Sequence, residues 1–252
     1  MLIVNTDHGF LLGEHGWWSK SLMPLYNEIA NTPFFIWDPR CGCKNVHRKS
    51  LVQTIDIAPT LLDYFNVDIP KDMQGKVLKQ TIAEDTPVRE YALYGYHGSA
   101  INITNGKYTY TRPPINPAVS NVFEYTLMPT HMVNMFSTDE LDSIELARPF
   151  DFTKGCKVLK IPVKNTVKNT GAKSFEYGNL LFDVEKDEKQ LDPLDEPEIE
   201  LEMLNMMRIL MKESEAPIEQ YERMGIQAER EMTLEELIQQ RKEREEILLQ
   251  LR

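Results

Sequence analysis

From Asn5 to Lys20 the chain reads Asn-Thr-Asp-His-Gly-Phe-Leu-Leu-Gly-Glu-His-Gly-Trp-Trp-Ser-Lys. Asp7 offers a hard oxygen and His8 a borderline nitrogen. A mostly oxygen site takes Ca²⁺ or Mg²⁺, and a nitrogen-rich one leans toward Zn²⁺ or Mn²⁺. Two donors do not fill the shell of a hard ion, so further ligands must come from elsewhere. Lys20 brings a compact ammonium with three donors for an anionic oxygen. His15 can protonate a leaving group or orient a substrate. Gly9, Gly13 and Gly16 allow positive φ and close backbone approach. Together these residues suit a loop that holds a cation and an anionic group side by side.

The elements around the loop must position it. Leu2 to Asn5 is a short apolar run, expected as a buried strand that ends at Asp7-His8, and ligands gather at the carboxyl ends of strands in open α/β sheets. Pro33 to Trp37 is expected as a second buried strand. Asp56 to Phe65 reads as a helix, with Asp56 as its cap, Pro59 in its first turn and an apolar stripe of Ile57, Leu61, Leu62 and Phe65. After Pro87 come three short runs rich in aromatic and β-branched residues, 90–94, 100–104 and 107–112, with Asn105-Gly106 as a hairpin turn between the last two. Residues 121–173 show no clear period and read as irregular. Leu180 to Asp183 is a further strand. Residues 199–212 have apolar residues at helical spacing, with Met203, Met206, Met207 and Met211 as core filler, and 233–251 reads as a charged helix. This order suggests an α/β layer, with too few strands for a whole parallel sheet, followed by an α+β appendage.

A net charge of -11 argues against a nucleic-acid or anionic-membrane surface. No apolar run approaches the roughly 20 residues of a membrane span. No basic lead and apolar stretch follow Met1, so the chain as encoded is expected in the cytoplasm. Cys41, Cys43 and Cys156 make neither a disulfide framework nor a zinc knuckle. His97, in Tyr94-Gly-Tyr96-His97-Gly98, sits where a loop could line a substrate pocket.

Asp7-His8-Gly9, Gly13-Glu14-His15-Gly16 and Lys20 resemble the metal loop of the sulfatases, within the alkaline phosphatase superfamily. The similarity continues through Tyr26-Asn-Glu28, Thr32-Pro33, residues 52–62, Met73-Gln-Gly75, Gly106-Lys107-Tyr108 and Leu181-Phe182-Asp183. The resemblance implies a fold in which residues 1–86 end an alkaline-phosphatase-like α/β sandwich. Residues 87–226 would form a small α+β subdomain with an antiparallel sheet and helices, and 227–252 a charged terminal helix. It also implies that Asp7 and His8 ligate a divalent metal, usually Ca²⁺ with Mg²⁺ as the alternative. Lys20 would contact the sulfate or the bridging oxygen, His15 would lie near the substrate, and His97 would help bind it. The substrate would be a sulfated small molecule or sulfated glycan.

One part of the family pattern has no counterpart. The nucleophile is a Cys or Ser in Cys/Ser-x-Pro-x-Arg, and no residue of this chain stands in that motif. The family's paired metal-binding aspartates lie upstream of the loop. The expectation is therefore sulfuric ester hydrolysis in a complete enzyme, with this chain an incomplete catalytic unit that an N-terminal chain would complement. Two alternatives are a non-catalytic remnant or interaction module, and a phosphodiesterase or phosphonate hydrolase of the same superfamily. Against the last, His47, His97 and His131 lack the flanking pattern of two-zinc members.

Overall fold

The computed structural model describes residues 1–116, 121–131, 133–163 and 174–250. The chain opens with β1 (Leu2–Asn5), and the loop after it carries the paired two-residue strands β2 (Leu11–Leu12) and β3 (Trp18–Ser19). One helical turn, α1 (Asn27–Ala30), precedes β4 (Phe34–Trp37), which returns antiparallel beside β1. The register sets Leu2 opposite Trp37 and Val4 opposite Phe35, so these four side chains share one face. That face is open: the four are 60, 48, 54 and 65% exposed in that order. The expectation of two buried strands is corrected here. Both runs are strands, but among the described residues nothing packs on one side of the pair.

A 3-10 turn (Thr54–Asp56) leads into α2 (Ile57–Tyr64), and α3 (Lys79–Glu84) follows. Asp56 does not cap α2. Its fully buried carboxylate instead accepts the backbone N–H groups of Gln53 and Lys76 and a fork of donors from Arg89. A buried charge demands such pairing, and this one ties the start of α2 to the segments after it.

The largest sheet is antiparallel, built from β5 (Ala92–Gly95), β6 (Ile101–Thr104), β7 (Tyr108–Arg112) and, at its other edge, β11 (Leu180–Asp183). Asn105 shapes the β6–β7 turn by accepting the N–H groups of Lys107 and Tyr108 on its side-chain oxygen. A second antiparallel sheet joins β8 (Phe123–Thr126), β9 (Glu145–Ala147) and β10 (Val158–Pro162), with β10 in the middle and α4 (Thr138–Leu141) beside it. This sheet corrects the irregular reading of 121–131 and 133–163; the rest of that stretch, 132 and 164–173, lies outside the described residues.

The helices α5 (Pro197–Glu213), α6 (Ile218–Met224) and α7 (Leu234–Gln250) complete the fold. Ile103, Tyr110 and Leu181 of the large sheet pack with Met203, Leu204, Met207 and Met211 of α5, Met224 of α6 and Leu237 of α7. Within this core Glu200 is 1% exposed and accepts from Tyr110, Asn179 and Arg241, so α7 is fixed by a charge pair as well as by Leu237. The architecture is mixed α/β with antiparallel sheets and helices, as expected. Among the described residues no helix is long and apolar enough to cross a membrane.

Candidate functional site

At the end of β1 the side chains of Asp7, His8 and Lys20 meet around one nitrogen. His8 Nδ1 lies 2.9 Å from the Gly9 carbonyl oxygen. A carbonyl only accepts, so Nδ1 carries the proton and Nε2 presents its lone pair. That Nε2 stands 3.3 Å from Asp7 Oδ2 and accepts from Lys20 Nζ at 2.6 Å. Asp7 Oδ1 in turn accepts the His8 N–H at 3.0 Å and the Thr6 hydroxyl at 3.3 Å. Desolvation pushes the Asp7 carboxyl upward. The backbone His8 N–H and the Thr6 hydroxyl, both donating to the carboxylate, hold the group below its ordinary value. Asp7 thus stays a carboxylate, with Oδ2 open to solvent.

The placement of this group depends on Gly9. Its N–H donates to the Ile29 carbonyl of α1 at 2.9 Å, and a β-carbon there would meet the Glu28 carbonyl oxygen at 1.7 Å. Only a residue without a side chain lets the loop lie against α1. Further along, Leu11 is buried with Met23 and Ile29, which anchors the far side of the loop.

Asp7, His8 and Lys20 line a cleft of about 1340 Å³ that runs between β4, the segment 43–54 and the β5 edge of the large sheet. Lys44, His47, Arg48 and Lys49 add basic side chains to its lining, and among the described residues Asp7 is its one carboxylate. Tyr96 also reaches this cleft, and its hydroxyl accepts the Leu22 N–H at 3.1 Å.

The remaining two residues singled out in the sequence make their contacts elsewhere. The His15 side chain is 8% exposed, stacks on Tyr26 at 3.6 Å between ring centroids and lies 3.6 Å from Glu28. His97 lies at a second, smaller cavity of about 380 Å³, where its Nε2 donates to the Phe123 carbonyl at 3.1 Å. That cavity is also lined by Glu124, Tyr125, Glu219 and Gln220. Gln190, which no local pattern marks, bonds to the first residue of α1.

Asp7 and His8 fit a divalent cation as two of its donors. Oδ2 and the Nε2 lone pair face each other, and the Lys20 ammonium already sits against that lone pair as a cation would. Among the described residues no group of three or more His, Cys, Asp and Glu side chains converges to hold a metal ion. A hard ion at Asp7 and His8 would draw its other ligands from beyond these two.

Comparison with known proteins decides the family. The family model for the C-terminal part of N-sulphoglucosamine sulphohydrolase matches residues 13–144, just over half of the chain. The chain belongs to this sulphohydrolase family. The matched stretch includes His15, Lys20 and His97 and begins after Asp7 and His8.

Curated sulfatases are similar over part of their length. An N-acetylglucosamine-6-O-sulfatase of Bacteroides thetaiotaomicron is 35% identical over 101 residues, 38% of this chain and 18% of that protein. An arylsulfatase of Clostridium perfringens is 35% identical over 95 residues, 36% of this chain and 19% of its own length. This sulfatase-family chain therefore aligns with under a fifth of each of these two relatives. A solved structure described as a complex with its substrate D-glucosamine-2-N,6-O-disulfate superposes over 84% of the chain and 34% of its own, with a TM-score of 0.53 at 17% identity. At that identity the likeness establishes a shared fold, that of the sulfatases.

Proposed function

We propose that this chain supplies the metal-and-anion side of a sulfate ester hydrolase site, with Asp7 and His8 as metal ligands and Lys20 as the sulfate-binding cation. The observation that carries the reading is the convergence of Asp7, His8 and Lys20 on His8 Nε2 at the end of β1. A divalent ion, Ca²⁺ in the first instance and Mg²⁺ as the alternative, would neutralise charge on the ester oxygens when bound. With a cation between Asp7 and His8, Lys20 would be released from Nε2, and its three donors would face the sulfate. Asp7, kept ionised, needs no proton loss to serve as a ligand.

A sulfated glycan suits the cleft, where among the described residues Asp7 is the one carboxylate against Lys20, Lys44, Arg48 and Lys49, although the whole chain carries -11. Two structurally similar proteins, one solved with D-glucosamine-2-N,6-O-disulfate and one a 2-O GAG sulfatase, support that class. The nucleophile would come from a segment complementing this chain, and the open apolar face of β1 and β4 is a surface such a segment could cover.

Calorimetry of the 252-residue chain with glucosamine 6-sulfate, with and without Ca²⁺, tests the reading. Binding is expected to need Ca²⁺ and to weaken about tenfold or more in Lys20→Ala, which loses a charge-assisted hydrogen bond. Equal binding of unsulfated glucosamine, or no effect of Lys20→Ala, overturns it. Ca²⁺-dependent binding without hydrolysis once the chain is joined to a nucleophile-bearing segment supports the non-catalytic alternative.

A further inference from the structure

We propose that Gln190 is a positioning residue for the Asp7–His8–Lys20 group, acting through α1. The inference rests on the reading of that group as the site. A single helical turn has no stability of its own, because nucleation fixes several residues for one hydrogen bond. The Tyr26 side chain, at the cap position of α1, makes no capping bond. The missing acceptor comes from 163 residues away: Gln190 Oε1 accepts the Asn27 N–H at 2.6 Å. The other half of the same amide, Nε2, donates to Thr109 Oγ1 at 2.9 Å on β7. Gln190 is 4% exposed, so both ends of its amide are committed within the protein.

The backbone at Gln190 has φ +50°, a region that costs a branched or long residue free energy, and it is held there by its N–H bond to the Asp187 carbonyl. A glycine would adopt this conformation with less strain but would lose both side-chain bonds. From Asn27 the connection runs two residues along α1 to the Ile29 carbonyl, which holds the Gly9 N–H. The Gly9 carbonyl then holds His8 Nδ1. The large sheet therefore sets the orientation of the His8 ring through one side chain. Tyr26 adds a second contact between the same two regions, its ring 6.3 Å from that of Phe182.

The test compares wild type, Gln190→Leu and Leu237→Ala by ring ¹⁵N NMR of the five histidines, with Mn²⁺ as the added probe. Leu237→Ala opens a cavity in the helical core and serves as the control for lost stability. In Gln190→Leu the His8 signals are expected to move while those of His47 and His131 stay, and Mn²⁺ binding is expected to weaken about tenfold or more, as for lost outer-shell support of a ligand. Leu237→Ala should leave His8 in place. Unmoved His8 signals in Gln190→Leu, or the same movement in Leu237→Ala, overturn the proposal. A wild-type chain whose His8 is untouched by Mn²⁺ counts against the metal reading, while the ring shifts still decide the role of Gln190.

Discussion

The peptide of Glu28 lies so close to Gly9 that a β-carbon on Gly9 would stand 1.7 Å from its carbonyl oxygen and 2.8 Å from its carbonyl carbon. Both atoms are backbone, so no side-chain rotation relieves the overlap. Gly9→Ala should therefore push the loop off α1, with a loss of roughly 1–3 kcal/mol typical of overpacking. Urea denaturation measures the loss, and the His8 ring signals report the displaced loop. A variant with wild-type stability and wild-type His8 signals would show that the contact does not hold the site.

Asp56 receives four donors and has no exposed surface. Asp56→Ala leaves the Arg89 guanidinium without its partner in a largely dry position, which should cost about 3–5 kcal/mol. Asp56→Asn keeps the shape and an acceptor, and should cost less. The ranking of denaturation midpoints checks this.

Glu140 closes a capping box with Ser137. The Ser137 N–H, then its hydroxyl, then His131 draw the Glu140 carboxyl from 4.5 down to about 2. A folded value below the unfolded one favours the folded cap above pH 4.5, and that advantage disappears as pH falls toward 2. Carboxyl carbon NMR should place the Glu140 midpoint near the lower value. In Glu140→Gln, the protection of the Leu141 amide relative to its intrinsic exchange rate should no longer change with pH across this window.

The face formed by Leu2, Val4, Phe35 and Trp37 is apolar and open. An isolated chain should bind the dye ANS there and self-associate at high concentration. Val4→Glu with Phe35→Lys places opposite charges across the strand pair and should lower both signals without unfolding the protein. Sedimentation velocity and dye fluorescence give the answer, and unchanged values would locate the sticky surface elsewhere.

Much of this was legible in local pattern. Asp7, His8 and Lys20 fall within fourteen residues, so one loop carries the whole group, and the large sheet announced itself through β-branched runs around Asn105-Gly106. The small sheet was not legible. Its strands are short and include Glu124, Glu145 and Lys160, and β8 finds its partner β10 more than thirty residues on. Periodicity reports what lies on each side of a residue in its own segment, not which distant segment will pair with it. The same limit explains β1 and β4: the apolar letters predicted strands, but not that one face would be left open. Gln190 was invisible for a related reason, since a lone polar residue in an acidic stretch gives no sign that it caps a helix near the other end of the chain.

That long-distance cap has a consequence for how the protein is made. A ribosome adding about 5–20 residues per second delivers Asn27 roughly 8–33 s before Gln190, given the 163 residues between them. During that interval α1 lacks the acceptor for its first N–H, and the loop bearing Asp7 and His8 has only its local contacts. The loop and α1 are thus finished only after a segment made 163 residues later has folded back onto them.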